Sequence, residues 1–185
     1  MKIALAGQPY SGKTTVSKGL QKRLNPSANV HFISEVATRL LCENHLICQS
    51  ATFQQDIFDI QRAEEEEYSN SIIISDRGLL DYLVYCSDEA IEKSHIFDIM
   101  SLEQFYDNYD LVLFFEKNPE HQRSTADTIR IEKNDTEIEF LSRRTHDVWS
   151  KHRNILYISH FSTADEKIDY VANIINDYCK EKLFV

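Results

Sequence analysis

A chain of 185 residues with 30 acidic and 20 basic side chains carries a formal charge of −10, and 42% of it is hydrophobic with only four glycines and three prolines. That balance excludes low-complexity and linker-dominated classes and speaks against nonspecific attraction to nucleic acid or to an anionic membrane. The length suits one domain over 1–185, and no apolar run approaches the roughly 20 residues of a spanning helix.

Ile3-Ala4-Leu5-Ala6 reads as a buried first strand and runs directly into Gly7-Gln8-Pro9-Tyr10-Ser11-Gly12-Lys13-Thr14. The spacing G-x-x-x-x-G-K-[ST] is that of a loop that cradles a nucleoside triphosphate, because its glycines let successive backbone N–H groups turn inward on phosphate oxygens. Gly7, Ser11, Gly12, Lys13, Thr14 and Thr15 are the expected nucleotide contacts. Lys13 would reach the β- and γ-phosphates of ATP, and the Thr14 hydroxyl would hold Mg²⁺. Thr15 to Leu24 keeps apolar residues at helical spacing, so a helix N-terminus would point its positive end at the phosphates. The opening on a strand predicts no secretory leader, and cysteines 42, 48, 86 and 179, scattered through ordinary segments, suit the cytoplasm.

Asn25 to Asn29 is a turn-rich breaker, followed by a short strand Val30-His31-Phe32-Ile33 that ends at Ser34-Glu35. Val36, Leu40 and Leu41 then recur at helical spacing. Glu35 therefore stands where a strand hands over to a helix, the edge of an open α/β sheet at which ligands bind. Phe53, Ile57, Ile60 and Ala63 predict a long helix over 50–68, with Glu64 to Glu67 as a solvated face. Ser71 to Ser75 is a strand apolar on consecutive positions, as expected when both faces are covered, and it ends at Asp76-Arg77-Gly78. Helices are expected over 79–86 and 89–106, then a buried strand Asp110 to Phe115.

The polar stretch 116–136 carries Pro119, Arg123 and Arg130 and reads as a lid over the site. A helix from Asp135 to about Lys151, a last strand Ile155 to Ile158 and a helix from Thr163 to about Lys182 complete the chain. Alternating strands and helices imply an α/β fold, a three-layer α/β/α sandwich on a five-stranded parallel sheet.

The acids fall into roles. Phosphoryl transfer rests on positioning and charge neutralisation, so the useful parts are Mg²⁺, fixed cations and a carboxylate near the attacking hydroxyl. Asp76 suits the metal shell beside Thr14, or a helix N-cap. Glu35 suits the acceptor hydroxyl as its base, or a favourable first-turn charge. Arg77 could reach phosphate or acceptor, and Arg123 and Arg130 could fold over the γ-phosphate. The catalytic set is thus Lys13, Glu35, Arg77 and Arg130, with Arg123 among the nucleotide contacts. Cys42-x-x-His45-x-x-Cys48 lacks a fourth ligand and reads as thiols, not a structural zinc site. Glu132-Lys133-Asn134-Asp135 has the wrong first residue for a guanine-reading motif. Phe105, Tyr106, Tyr109, Phe114 and Phe115 read as core.

With these residues placed, the chain resembles the P-loop nucleoside-kinase-like family that includes the nicotinamide-riboside kinase domain of NadR-type proteins, often filed as an AAA-type domain. The resemblance rests on Gly7 to Thr14, Glu35 with Arg39, Phe53-Gln54 and Gln61, Asp76-Arg77-Gly78 with Asp81 and Tyr85, and Asp127-x-x-Arg130 before the helix of 137–149. It implies that the Asp-Arg pair serves metal and phosphate, that Glu35 serves the acceptor hydroxyl, that the late arginine belongs to the lid, and that residues around His160 and Phe161 lie near the adenine. The expected activity is an ATP- and Mg²⁺-dependent kinase acting on a nucleoside-like small molecule, with no nucleic-acid or membrane partner. The alternatives are a nucleotide-dependent switch, which needs no acceptor-side base, and a nucleoside monophosphate kinase, which would want more arginines near the acceptor.

Overall fold

The apolar runs pair into a single sheet. The computed structural model describes residues 1–24, 29–94, 96–117 and 135–183. Its strands β1 (Lys2–Gly7), β2 (Val30–Ile33), β3 (Ile72–Asp76), β4 (Leu111–Phe115) and β5 (Ile155–Ile158) are all parallel, in the order β2-β3-β1-β4-β5. The helices are α1 (Lys13–Arg23), α2 (Val36–Glu43), α3 (Phe53–Glu67), α4 (Asp81–Tyr85), α5 (Asp88–Lys93), α6 (Ile96–Ile99), α7 (Leu102–Asp107), α8 (Asp135–Trp149) and α9 (Ala164–Leu183).

Alternation along the central strands builds three layers. Ile3 and Leu5 of β1 with Leu111, Leu113 and Phe115 of β4 pack against α1 and α9, through Val16, Leu20, Ile168, Val171 and Ile175. Ala4, Ala6, Val112 and Phe114 face the other way, onto Phe58, Leu80, Phe105, Tyr109 and Trp149. Because both faces of β4 are covered, all five of its side chains are buried, whereas the edge strand β5 leaves its two middle residues exposed. The expected α/β sandwich is therefore the observed one. No helix among the described residues is long and apolar enough to cross a membrane.

The strand order positions the site. From β1 the chain passes over the place of β3 to form β2, returns to β3, and then crosses to β4 on the far side of β1. Register puts Leu5 beside Asp76 and Ile33 beside Ser75, so the residues leaving β1, β2 and β3 emerge level at one edge. This is the crevice that a doubly wound sheet offers to ligands.

Three expectations change. The helix expected over 89–106 is three short ones, α5, α6 and α7, because serines interrupt it: Ser94 ends α5, its Oγ donating to the Ile91 carbonyl at 2.8 Å, and Ser101 opens α7 with a capping box to Gln104. The Glu64 to Glu67 run is not wholly solvated, since Glu65 is 0% exposed and points into the protein. The helix expected over 79–86 shortens to α4, with its first residues in a turn beneath the aromatic core. The lid expected over 116–136 falls mostly on residues 118–134, outside the described residues.

Candidate active site

The loop after β1 folds as its glycines dictate. Gly7 sits at φ +133, and a Cβ there would stand 2.3 Å from the Phe115 carbonyl oxygen, so only glycine lets β1 pass β4 at this point. Gly12 adopts φ +85 and Tyr10 φ +61, which curl the chain into the first turn of α1. No side chain caps that helix, and its first turn holds no acid. Its leading N–H groups and its positive end are thus left to an external anion.

Lys13 is 7% exposed, and its ammonium donates to the carbonyls of Gly7 at 2.8 Å and Gln8 at 2.9 Å and to Ser11 Oγ at 3.3 Å. Burial, with the Arg77 charge, lowers it to about 8. From this position a phosphate can draw the ammonium off the loop carbonyls, exchanging neutral acceptors for a charged one. A second lysine supports the loop from behind. Lys167 of α9 donates to the Ser11 carbonyl at 3.0 Å and stands 5.1 Å from the centre of the Phe115 ring; burial lowers its pKa.

Asp76 closes β3 and is 3% exposed. Burial and the nearby Glu35 push its carboxyl up to about 6, opposed by Lys13, Arg77 and a hydrogen bond with Thr14. A buried carboxylate held against a threonine hydroxyl at the phosphate loop is a pair of hard oxygen donors. That donor set fits Mg²⁺, which takes one or two protein ligands and completes its shell with water and phosphate oxygens. Among the described residues no group of three or more His, Cys, Asp or Glu side chains could hold a metal by itself. The Cys42, His45 and Cys48 set is included in that statement; Cys48 Sγ instead donates to the His45 carbonyl at 3.3 Å.

Glu35 and Arg77 meet across the ends of β2 and β3. Arg77 Nε donates to Glu35 Oε1, and Thr38 Oγ1 donates to Oε2 at 2.8 Å. Burial works to raise the Glu35 carboxyl, but the Arg77 guanidinium, Thr38 and Lys13 outweigh it and hold it at about 2. Arg77 also donates through Nη1 to Tyr85 Oη at 2.7 Å, lies over that ring, and stands 3.8 Å from Asp81 Oδ2. Burial opposes its charge, yet Glu35, Tyr85 and Asp81 raise its pKa well above the ordinary value. Arg39 is engaged elsewhere, at 2.7 Å from Glu64.

A cleft of about 580 Å³ joins these groups. Ser11, Gly12, Lys13, Thr14, Thr15, Glu35, Asp76 and Arg77 line it, so the structure gathers every described residue expected at the site except Gly7, which lies behind the loop. Arg123 and Arg130 lie outside the described residues. His160 and Phe161, around which the adenine was expected, also line the cleft, with Ser162, Thr163, Ala164 and Lys167. Lys167 itself was missed. Its signal was its spacing, four residues before Val171 on the buried stripe of α9.

Residues 2–166 match the family model described as the AAA domain, and the chain belongs to that family. No curated protein sequence matches it. In fold it is similar to the deoxyadenosine kinase from M. mycoides, with a TM-score of 0.61 at 15% identity over 96% of this chain and 100% of the other. It is similar to the shikimate kinase from Aquifex aeolicus, with a TM-score of 0.58 at 19% identity over 97% and 98% of the two chains. A thymidylate kinase from Ehrlichia chaffeensis gives 0.60 at 18% identity over 95% and 98%. The fold is shared with these three kinases.

Proposed function

We propose that this member of the AAA domain family is a kinase that passes the γ-phosphoryl group of ATP to a hydroxyl of a nucleoside or riboside-like metabolite. The observation that carries the reading is the Glu35–Arg77 pair beside Asp76, facing Lys13 across one cleft. A nucleotide-dependent switch needs no carboxylate for an acceptor hydroxyl.

The loop N–H groups and Lys13 bind the triphosphate, with Arg123 and Arg130 proposed to fold over it. Mg²⁺, held by Thr14 and Asp76, would neutralise charge on the phosphate oxygens. Arg77, fixed by Glu35 and Tyr85, stabilises charge on the moving phosphoryl group. Glu35, ionised at any physiological pH, accepts the hydrogen bond of the attacking hydroxyl and aims its oxygen at the γ-phosphorus. A carboxyl held at about 2 is a weak base, so its contribution is orientation, and it takes the hydroxyl proton only late, once the forming bond to phosphorus has acidified it in a loose transition state.

Charge pairing favours an uncharged acceptor. Among the described residues, Arg39 is paired with Glu64, and Arg77, held by Glu35, serves the moving phosphoryl group, which leaves neither for the phosphate of a nucleoside monophosphate. The test is transfer of label from γ-labelled ATP to members of a nucleoside and riboside panel, with Lys13→Ala as the blank.

A further inference from the structure

Glu65 of α3 is wholly buried, yet it lines no part of the cleft. Its carboxylate is the meeting point of a polar network. Oε1 accepts from Tyr109 Oη at 2.8 Å, Gln61 Nε2 at 3.2 Å and Ser75 Oγ at 3.3 Å. Oε2 accepts from Asn108 Nδ2 at 2.8 Å and from the Lys2 ammonium at 3.3 Å, which supplies the opposite charge. A buried carboxylate so satisfied is rigid, and removing it strands several donors at once.

The contacts on Oε1 converge on one turn. Ser75 immediately precedes Asp76. Gln61 Nε2 also donates to the Arg77 carbonyl at 3.1 Å, and Tyr109 Oη accepts the Leu79 N–H at 2.7 Å. Between these anchors Arg77 adopts φ +79, a left-handed backbone that is unfavourable for a residue with a Cβ. The same turn is closed from above by Trp149, whose Nε1 donates to Asp81 Oδ1 at 2.9 Å.

We propose that Glu65 is a positioning residue, fixing through Ser75, Gln61 and Tyr109 the left-handed turn that presents Asp76 to Mg²⁺ and Arg77 to the phosphoryl group; the inference rests on the kinase reading above. It touches neither substrate nor metal and acts only through the turn. Partners of this kind behind a metal ligand are typically worth about 10–100-fold in metal affinity or activity.

The test measures ATP affinity by calorimetry with Mg²⁺ and with EDTA, for the wild type, Tyr109→Phe and Glu65→Ala. Tyr109→Phe removes one hydroxyl and keeps the ring packed on Gly78 and Trp149, so it serves even where Glu65→Ala does not fold. The expected result is an affinity in EDTA within about twofold of wild type, since the phosphate loop is untouched, and a Mg²⁺-dependent gain reduced by about tenfold or more. A double variant should lose no more than Glu65→Ala alone, because both substitutions cut one chain of contacts. Variants that keep the wild-type gain, or lose affinity equally with and without Mg²⁺, overturn the positioning role and leave the kinase reading standing. A wild type that gains nothing from Mg²⁺ overturns the metal role of Asp76, on which both depend.

Discussion

Arg77 grips Glu35 from a backbone held at φ +79, so the pair that joins the ends of β2 and β3 depends on a conformation arginine adopts only when its surroundings impose it. The packing that imposes it is visible. Gly78, the next residue, lies under Trp149 and Tyr109, and its N–H points at Asp81 Oδ2 at 3.4 Å. Strain of this sort is tolerated where a side chain must be aimed, and here two are aimed together.

Replacing Glu35 by glutamine separates orientation from binding. Glu35→Gln keeps the size of the side chain but loses the charge that holds Arg77 and turns one of the two acceptor oxygens into a donor amide. Turnover should fall by about a hundredfold or more, while ATP affinity stays within about twofold, because the loop around Lys13 is unaltered. Steady-state kinetics beside calorimetry checks the split. Equal losses in both would mean that Glu35 serves nucleotide binding instead.

The same pair marks the acid limb of stability. The Glu35 carboxyl lies at about 2 in the folded chain against 4.5 unperturbed, so the unfolded chain takes up the proton more readily. Its stabilising contribution is fully present above 4.5 and is lost as pH falls through 4.5 toward 2. Thermal unfolding of wild type and Glu35→Gln should therefore show a gap that narrows below about pH 4.5. A gap that does not change down to about pH 3 would contradict the ion pair.

Two glycines at the site should respond differently to alanine. A Cβ on Gly78 would lie 2.7 Å from Trp149 Cη2 and 2.8 Å from Tyr109 Oη, atoms that are buried and cannot retreat. Gly78→Ala should cost about 1–3 kcal/mol by overpacking, read as a lower urea midpoint, and should impair turnover by shifting Arg77. Nothing lies within 4 Å of a Cβ on Gly12, but its φ of +85 penalises any side chain. Gly12→Ala should cost about 1–2 kcal/mol through backbone strain alone.

Much of this was legible because the central strands are buried on both faces. Ile72 to Ser75 and Leu111 to Phe115 announce themselves as continuous apolar runs, and the phosphate loop between a strand and a helix fixes which edge matters. Glu35 and Asp76 followed from standing at strand ends. Strand order did not follow, since nothing local says that β3 pairs between β2 and β1. Glu65 was hidden by the run of four glutamates, in which composition masks phase. The phase was carried by Phe58, Gln61 and Glu65, which share the buried face of α3 at intervals of three and four. The serines at 94 and 101 were outweighed by apolar spacing that continued across them.

Lys167 offers an independent check on the loop. Lys167→Met retains the alkyl stem against Phe115 and deletes the ammonium that holds the Ser11 carbonyl. ATP affinity should drop by about fivefold, the worth of one hydrogen bond near 1 kcal/mol, with the melting temperature unchanged or raised because a buried charge is gone. Unchanged calorimetric affinity would show that the loop holds its shape without α9.

The central claim is that the cleft transfers a phosphoryl group to an uncharged hydroxyl acceptor, and its most direct test is ATP consumption with and without a panel of nucleosides and ribosides. The account predicts that at least one acceptor accelerates ATP consumption, appears as its monophosphate in equal amount to the ADP formed, and does neither with Lys13→Ala. Slow ATP hydrolysis that no acceptor accelerates would contradict it and assign the fold to a nucleotide-dependent switch.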